Sequence, residues 1–468
     1  MFRHLPFILI LIAYLITGAI YAIRTPDWQA PDEPAHYNYA AQISANGCCP
    51  LIEPGDWDSA YLETLKAARF APDLLGDLDA IQYEDHQPPL YYVLAGMVYR
   101  LTGGSLIAVR LLSVILGAGI VACAYAIGLA LLPARRTVAL AAALIVAFIP
   151  QNLAIMASVN NDALSGLIIG VTLYSLILYL KGDRRAPEWT LGVFVGIGLL
   201  TKMNTIFLVG LVPLILLLHW WLTTDRRIAV LLRRLIAFAV PALILGGLWW
   251  LRNVGVYGFP DLFGLGQHDA VVVGQLRTAD LIAQVGFNEY LRRGIETTFT
   301  SFWGQFGWMG LFMPAWGYWA VIALLGAAGI GGILKIGLRT EGKGLSEVES
   351  KKSKVKSEDS RARSLSTFNF QLSTAFLSPL LLLLTLILAF LQYLYYNTEF
   401  VQFQGRYLYT GLIPFALIMA LGLDGWRVLL ARLFGDRAVF AWIAPLGAAA
   451  LIPLSLFMIW RVIPQLAP

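Results

Sequence analysis

Long apolar segments are the feature that most constrains what this chain can fold into. A helix needs about 20 apolar residues to cross about 30 Å of hydrocarbon, and we count about eleven segments that meet or approach this length. Of the 468 residues, 58% are hydrophobic and only 13% are charged, which excludes the soluble class. The sequence therefore predicts an all-α fold, a polytopic transmembrane helical bundle of about eleven spans.

The first apolar segment, residues 6–23, resembles a signal peptide because Arg3 and His4 precede it. Its end, Ile20-Tyr21-Ala22, lacks the small residues of a cleavage site. We therefore expect a retained signal anchor.

The net charge of +5 is explained by the orientation of the chain in the membrane. With the N-terminus in the cytoplasm, most lysines and arginines fall on cytoplasmic turns, as the positive-inside rule requires. Membrane lipids are thus expected partners, and nucleic acid is not. The three cysteines include the adjacent pair Cys48-Cys49, whose Cα atoms are too close for easy ring closure. Their spacing matches no zinc site, and we assign them no catalytic role.

The apolar segments divide the chain into four regions with two large outer loops that carry interfacial helices. Within the first loop, apolar residues at helical spacing over 57–70 predict an amphipathic helix on the bilayer surface. The four regions are a first span with a long outer loop at 1–106, a transmembrane core with a second outer loop (252–310) at 107–334, a disordered cytoplasmic loop at 335–374, and C-terminal transmembrane helices at 375–468.

The shorter apolar segments shape the details of the topology. Residues 90–101 are too few to span comfortably, so we treat them as a re-entrant or interfacial helix. Residues 137–156 form a predicted span, and residues 188–222 form a hairpin that turns at Thr201-Lys202-Met203-Asn204.

A pair of carboxylates, Asp32 and Glu33, stands between prolines just after the first span. If the side chain of Asp32 caps a helix, His36 lies one turn on, on the same face. Acids are costly to keep near lipid, so the pair indicates a catalytic site. The alternative is an ordinary helix cap with a solvated neighbour.

Other polar clusters fall on the same, outer face in this topology. Three cations stand where they are able to neutralise a phosphate, namely Lys202, Arg252 and Arg406. A lysine at the depth of Lys202 costs about 2.5–3.5 kcal/mol on insertion scales, and an anionic ligand would explain it; the alternative is snorkelling to the interface. A carboxylate nearby would take a proton from an acceptor hydroxyl or amine.

The order of these motifs resembles the C-type glycosyltransferase superfamily. The motifs are the Asp-Glu pair, His86-Gln87-Pro88-Pro89-Leu90-Tyr91-Tyr92, an outer Asn161-Asp162, the Thr-Lys hairpin, and Gln404-Gly405-Arg406-Tyr407. The chain resembles in particular the bacterial aminoarabinose transferases of lipid A and the protein O-mannosyltransferases, and most closely a poorly characterised bacterial branch. The resemblance spans residues 1 to about 425.

The resemblance implies an enzyme of the bacterial cytoplasmic (inner) membrane that transfers a hexosyl or pentosyl group from a polyprenyl-phosphate sugar, with inversion, on the outer face. The acceptor would be a hydroxyl or amine of an unknown lipid, glycan or protein. By position Asp32 would be the base, with Glu33 beside it, and Asp162 the second outer acid. The candidate carrier-phosphate ligands are Lys202, Arg252 and Arg406, and the candidate substrate-binding residues are His36, Gln87, Asn161 and Tyr407.

One place departs from the family pattern. Aminoarabinose transferases carry Glu-Lys before Pro-Pro, and that Glu joins a distant His in holding a metal, whereas here these places read His86 and Gln87. The phosphate-binding lysine is thus absent. His86 and His268 are candidate ligands of a divalent metal such as zinc, but two ligands are half a site, and two hydrogen-bonded histidines are the alternative.

Two other functions compete with the glycosyltransferase. A transporter or flippase of lipid-linked glycans would use many spans and a phosphate-binding cavity equally well, although transporters tend to show internal repeats and ionisable groups at the midplane. A non-catalytic assembly factor for envelope polysaccharide would need no acid at Asp32.

Overall fold

A computed structural model describes residues 4–223, 226–346 and 359–468. The described chain is mostly helical, and its only paired strands, at Gln305–Phe306 and Leu311–Phe312, form a small antiparallel hairpin. The N-terminal region contains α1 (Leu5–Arg24), α2 (Glu33–Asn46), α3 (Ser59–Ala67), a 3-10 helix (Pro72–Ala80) and α4 (Leu90–Leu101).

The transmembrane core and the second outer loop follow. The core contains α5 (Leu106–Leu131), α6 (Arg136–Phe148), α7 (Pro150–Met156), α8 (Asp162–Leu180), α9 (Glu188–Leu199), a 3-10 turn (Met203–Ile206), α10 (Phe207–Thr223) and α11 (Ile228–Tyr257). The loop contains α12 (Leu265–Val271), α13 (Thr278–Val285), α14 (Phe287–Trp303), β1 (Gln305–Phe306) and β2 (Leu311–Phe312).

The C-terminal region completes the bundle. It contains α15 (Ala315–Ser346), α16 (Asp359–Glu399), a 3-10 helix (Gly405–Gly411), α17 (Leu412–Leu423), α18 (Gly425–Phe434), a 3-10 helix (Ala438–Trp442), α19 (Ile443–Ala449), α20 (Leu451–Phe457), a π-helical turn (Met458–Val462) and a 3-10 turn (Ile463–Leu466). Within the loop predicted at 335–374, residues 347–358 lie outside the described residues, and α15 and α16 extend into it from either side.

The predicted all-α polytopic fold is confirmed. In the described part of the chain, nine helical stretches are long and apolar enough to cross a membrane, or ten if the bent pair α6–α7 is one span. The difference from about eleven arises mainly at α9, which has 12 residues. At 1.5 Å per residue it is about 18 Å long, too short to span alone.

The helix predicted over 137–156 is not continuous. It bends by 64° between α6 and α7, because Pro150 lacks the N–H that would bond to Val146 and forces Ile149 into an extended conformation. The side-chain amide of Asn152 replaces the missing donor, 2.8 Å from the Val146 carbonyl. The backbone of α6 is thus satisfied despite the break.

Helix α6 is the centre of the bundle. Every residue from Val138 to Phe148 is buried, and α1, α5, α17 and α19 pack around it. Five of these eleven side chains are alanines, and small side chains let neighbouring backbones approach closely.

The two outer loops pack against each other in a separate apolar cluster. Leu62 and Leu65 of α3 lie there with Phe70, Ile81, Val271 and Val272. A helix therefore exists within the predicted segment, and its buried side chains, Leu62 and Leu65, contact protein. That this helix lies on the bilayer surface stays a prediction. Cys48 and Cys49 form a disulfide with each other, which the sequence analysis did not expect.

Candidate active site

Asp32 is the residue on which the candidate site converges. It precedes α2 with a left-handed backbone conformation (φ 66°) and makes no capping hydrogen bond. Its Oδ2 instead pairs with the guanidinium of Arg406, and its Oδ1 accepts a bond from the Tyr83 hydroxyl at 3.0 Å. The predicted side-chain cap is therefore wrong, because the carboxylate turns away from the helix toward a cation.

The charges around Asp32 keep it ionised. Burial raises the pKa of its carboxyl, but the positive charge of Arg406 outweighs this effect and holds the pKa at about 2. Its side chain retains 23% exposure. Asp32 is thus a carboxylate at neutral pH and remains accessible to a small group.

His36 lies one helical turn from Asp32, as the i+4 spacing predicts. Its Nδ1 is 2.8 Å from the Tyr92 hydroxyl, and burial lowers its pKa to about 3. The ring is therefore neutral at physiological pH. Among the described residues, Asp32, His36 and Glu84 are the one group of three potential metal ligands whose ligand atoms lie within 4.8 Å of one another.

Glu84 is a half-buried acid that the sequence patterns do not single out as a site residue. Its Oε2 has no hydrogen-bond partner. Burial, and then the negative charge of Asp32, raise its pKa to about 7. Glu84 therefore exchanges its proton near neutral pH, next to the Asp32 carboxylate.

The predicted pair His86 and His268 meets in space, with ring centroids 4.3 Å apart. His86 Nδ1 is 3.1 Å from the Tyr83 carbonyl, and His268 Nδ1 is 3.0 Å from Asp269 Oδ1. In the described part of the chain, no third metal-ligand side chain lies within 4.8 Å of both. By itself, this pair supplies half of a tetrahedral zinc site.

Two cations face the acidic cluster. Lys202, in the turn after α9, forms an ion pair with Asp162 at 2.6 Å. Arg406 is 7% exposed, yet its Nε and Nη1 have no hydrogen-bond partner. Because buried unpaired donors are costly, the free edge of Arg406 is suited to binding an anion.

The backbone that carries Arg406 is fixed by close packing on α14. A Cβ on Gly405 would come within 2.4 Å of the Phe302 nitrogen, so only glycine fits there. The Gly405 N–H donates to the Ser301 hydroxyl at 2.7 Å. In the Gln404-Gly405-Arg406-Tyr407 motif, the glycine thus permits close packing against α14, and the arginine extends into the site.

The remaining predicted substrate-binding residues lie around this cluster. Asn161 Nδ2 is 3.4 Å from Gln87 Oε1 and 3.2 Å from the Tyr92 hydroxyl. The Tyr407 ring lies 5.4 Å from the Arg406 guanidinium. The candidate site therefore combines residues from α2, from the segment around Pro88-Pro89, from the start of α8 and from the Gln404-Gly405-Arg406-Tyr407 motif.

Glu33, which is predicted as catalytic, does not pair with the cluster around Asp32 and Arg406. It is fully buried, and both its oxygens pair with Arg110, at 2.8 Å and 2.6 Å. Its Oε1 also accepts the Val159 N–H at 3.1 Å. With both oxygens engaged, Glu33 is placed to hold the backbone on either side of the site rather than to contact substrate.

Arg110, the partner of Glu33, is a residue that the sequence patterns above do not single out. It donates five hydrogen bonds, two to Glu33 and one each to the carbonyls of Ala22, Thr25 and Pro26. Its position inside an apolar helix is the feature that could have identified it, because a buried arginine there costs free energy unless it is paired.

Arg252, the third predicted phosphate ligand, is hydrogen-bonded to the first outer loop and to its own helix. Its Nη2 donates to the carbonyls of Cys49 and Pro50, and its Nη1 donates to Asn253 and Tyr257. These contacts fasten the first outer loop to α11. Both terminal nitrogens of this guanidinium are therefore engaged within the protein, unlike the Nη1 of Arg406.

Comparisons with known proteins agree with this architecture. Residues 86–247 match the family model described as dolichyl-phosphate-mannose-protein mannosyltransferase, and no curated protein matches the sequence. Among solved structures, the crystal structure of ArnT from Cupriavidus metallidurans bound to undecaprenyl phosphate is similar, with a TM-score of 0.50 and 14% identity. The alignment covers 98% of this chain and 73% of that one.

The mannosyltransferase match includes His86-Gln87-Pro88-Pro89, the Asn161-Asp162 pair and Lys202. The structural match extends the similarity in fold over nearly the whole chain. The predicted resemblance to the polytopic C-type glycosyltransferases is confirmed, in sequence over residues 86–247 and in fold over the multi-pass helical bundle.

Proposed function

We propose that this chain is an inverting glycosyltransferase that moves a hexosyl or pentosyl group from a polyprenyl-phosphate sugar to an acceptor on the outer face of the bacterial inner membrane. The observation that carries the proposal is the Asp32 carboxylate beside Arg406, a buried arginine with two unpaired donors. A base and an anion-binding group are thus adjacent, as displacement of a phosphate by a hydroxyl requires.

In the proposed reaction, the acceptor oxygen attacks the anomeric carbon of the sugar. The bond from that carbon to the phosphate oxygen breaks, the phosphate leaves with the bonding electrons, and the acceptor proton passes to Asp32. General-base catalysis of this kind is worth about 10²–10⁴ in rate. Stabilisation of the leaving phosphate by preorganised charge is usually the larger contribution.

Arg406 links these two events. Its ion pair lowers the proton affinity of Asp32 while no donor is bound. A phosphate that binds the free Nε and Nη1 neutralises part of the arginine charge, so Asp32 becomes a better base once the donor is present. Lys202 supplies a second positive charge, which Asp162 holds at 2.6 Å.

The test is release of free polyprenyl phosphate by the purified protein from a panel of polyprenyl-phosphate sugars, with crude envelope extract as the acceptor source. Asp32→Asn should lower the rate by about 10²–10⁴. Asp27→Asn is a matched control, because Asp27 lies in the same loop but is 69% exposed and contacts Arg110 only at 4.0 Å.

Equal release by wild type and Asp32→Asn would refute the role of Asp32. If every donor binds but none is consumed by the wild type, a transporter of lipid-linked glycans becomes the better account.

A further inference from the structure

A cleft between the outer segments has no role in the donor chemistry described above. It has a volume of about 440 Å³ and is bounded by the three outer segments at 57–63, 274–276 and 401–402. This volume lies within the range of about 300–1,000 Å³ for small-molecule sites.

The cleft is connected to Asp32 through two aromatic side chains. Trp57 lines the cleft and packs edge-on against Tyr83, with ring centroids 5.1 Å apart. The Tyr83 hydroxyl donates to Asp32 at 3.0 Å. A molecule in the cleft is therefore separated from the proposed base by two aromatic side chains, Trp57 and Tyr83.

The walls of the cleft are polar but carry no cation. An indole, a hydroxyl, two amides and a carboxylate line it, from Trp57, Ser59, Gln275, Gln402 and Glu63, and no lysine or arginine is among the described lining residues. The Trp57 indole is fixed by a 2.8 Å bond from its Nε1 to the Val273 carbonyl. A fixed ring beside side chains that both donate and accept hydrogen bonds suits an uncharged ligand with hydroxyls on its edges and C–H groups on its faces.

We propose that this cleft binds the acceptor, and that the acceptor is an uncharged carbohydrate chain. The proposal rests on the proposed function for the assignment as acceptor. A phosphorylated headgroup would find no lysine or arginine among the described lining residues, and the nearby Lys66 is already paired with Glu63 at 2.9 Å. The donor, which is anchored in lipid, has its own cations at Lys202 and Arg406, so the cleft is left for the second substrate.

Binding is measurable without turnover. We would titrate the full-length protein, in a detergent that contains no sugar, with neutral trisaccharides of different linkage, and follow saturation-transfer NMR. Glucose 6-phosphate and a serine-containing hexapeptide serve as comparison ligands. At least one neutral trisaccharide should bind, and more tightly than both comparison ligands.

Two variants locate the binding. Trp57→Ala should weaken it by about tenfold or more, and Gln275→Ala, in an outer loop where folding is less at risk, should weaken it severalfold. Asn288→Ala is the control, because Asn288 lies on the exposed start of α14 and should bind as wild type does.

Several results would overturn the proposal. These are no binding of any neutral trisaccharide, tighter binding of the phosphate ester or the peptide, or equal affinity in wild type and both cleft variants. Because these titrations need no donor, a failure of the proposed transferase activity in the polyprenyl-phosphate assay is distinguishable from a failure of the cleft assignment.

Discussion

The Glu33–Arg110 pair offers the sharpest quantitative test of how the site is held. Both side chains are essentially excluded from solvent, with 0% and 1% side-chain exposure. Two of the five bonds that Arg110 donates go to Glu33, and hydrogen bonds to charged groups are each worth about 1.5–3 kcal/mol. Removal of one partner leaves a buried charge, which costs about 3–5 kcal/mol.

Glu33→Gln and Arg110→Gln should therefore each lower the stability of the purified protein by about 3–5 kcal/mol. The double variant should lose less than the sum of the two single losses, because the second change removes an ion pair that is already broken. The measurement is the unfolding midpoint in detergent, for all four members of the cycle.

Glu289→Gln is the matched control, since Glu289 pairs with Arg292 on the exposed side of α14 and should leave the midpoint unchanged. The three variants of the cycle should also differ from the wild type in activity. The reason is that Glu33 adjoins Asp32 in the chain and its Oε1 accepts the Val159 N–H. Additive losses in the cycle would refute the inference that the two charges stabilise each other.

Three further predictions concern charge and topology. Arg406→Lys should raise the KM for a polyprenyl-phosphate donor by about 10–100-fold, while Arg252→Lys should leave that KM unchanged; equal effects would refute the separation of the two arginines. The donor KM should rise as pH increases through about 7, where the neutral Glu84 carboxyl loses its proton and begins to repel phosphate, and Glu84→Gln should abolish this dependence; a profile that is the same in this variant would assign it to another group. Cysteines introduced at Ser59 and Ser353 should react with impermeant reagents only from outside and only from the cytoplasm, respectively, and the reverse pattern would refute the proposed orientation.

Apolar segment length determined the architecture without any tertiary information. Each span must satisfy its own backbone hydrogen bonds in lipid, so a run of about 20 apolar residues specifies a helix wherever it stands. The short segment at 90–101 was recognised for the same reason, and the structure has a 12-residue helix there. The bend at Pro150 was equally readable in principle, since proline removes a backbone donor.

Local spacing also predicted part of the candidate site. His36 follows Asp32 by one helical turn, and the two lie together in the structure. The i+4 relation is a property of one helix, so no other element is needed to establish it.

Only the tertiary structure decided which charges meet. Glu33 and Asp32 are adjacent in the chain, yet Glu33 pairs with Arg110 and Asp32 with Arg406, 77 and 374 residues away. The sequence indicated that these charges lie near the membrane edge, but it did not indicate which of them pair. The pairing depends on how α5 and the Gln404-Gly405-Arg406-Tyr407 motif pack against α2. The sequence by itself thus determined a membrane bundle with an acidic and cationic face, and the packing of distant helices decided which of those groups stand free to act.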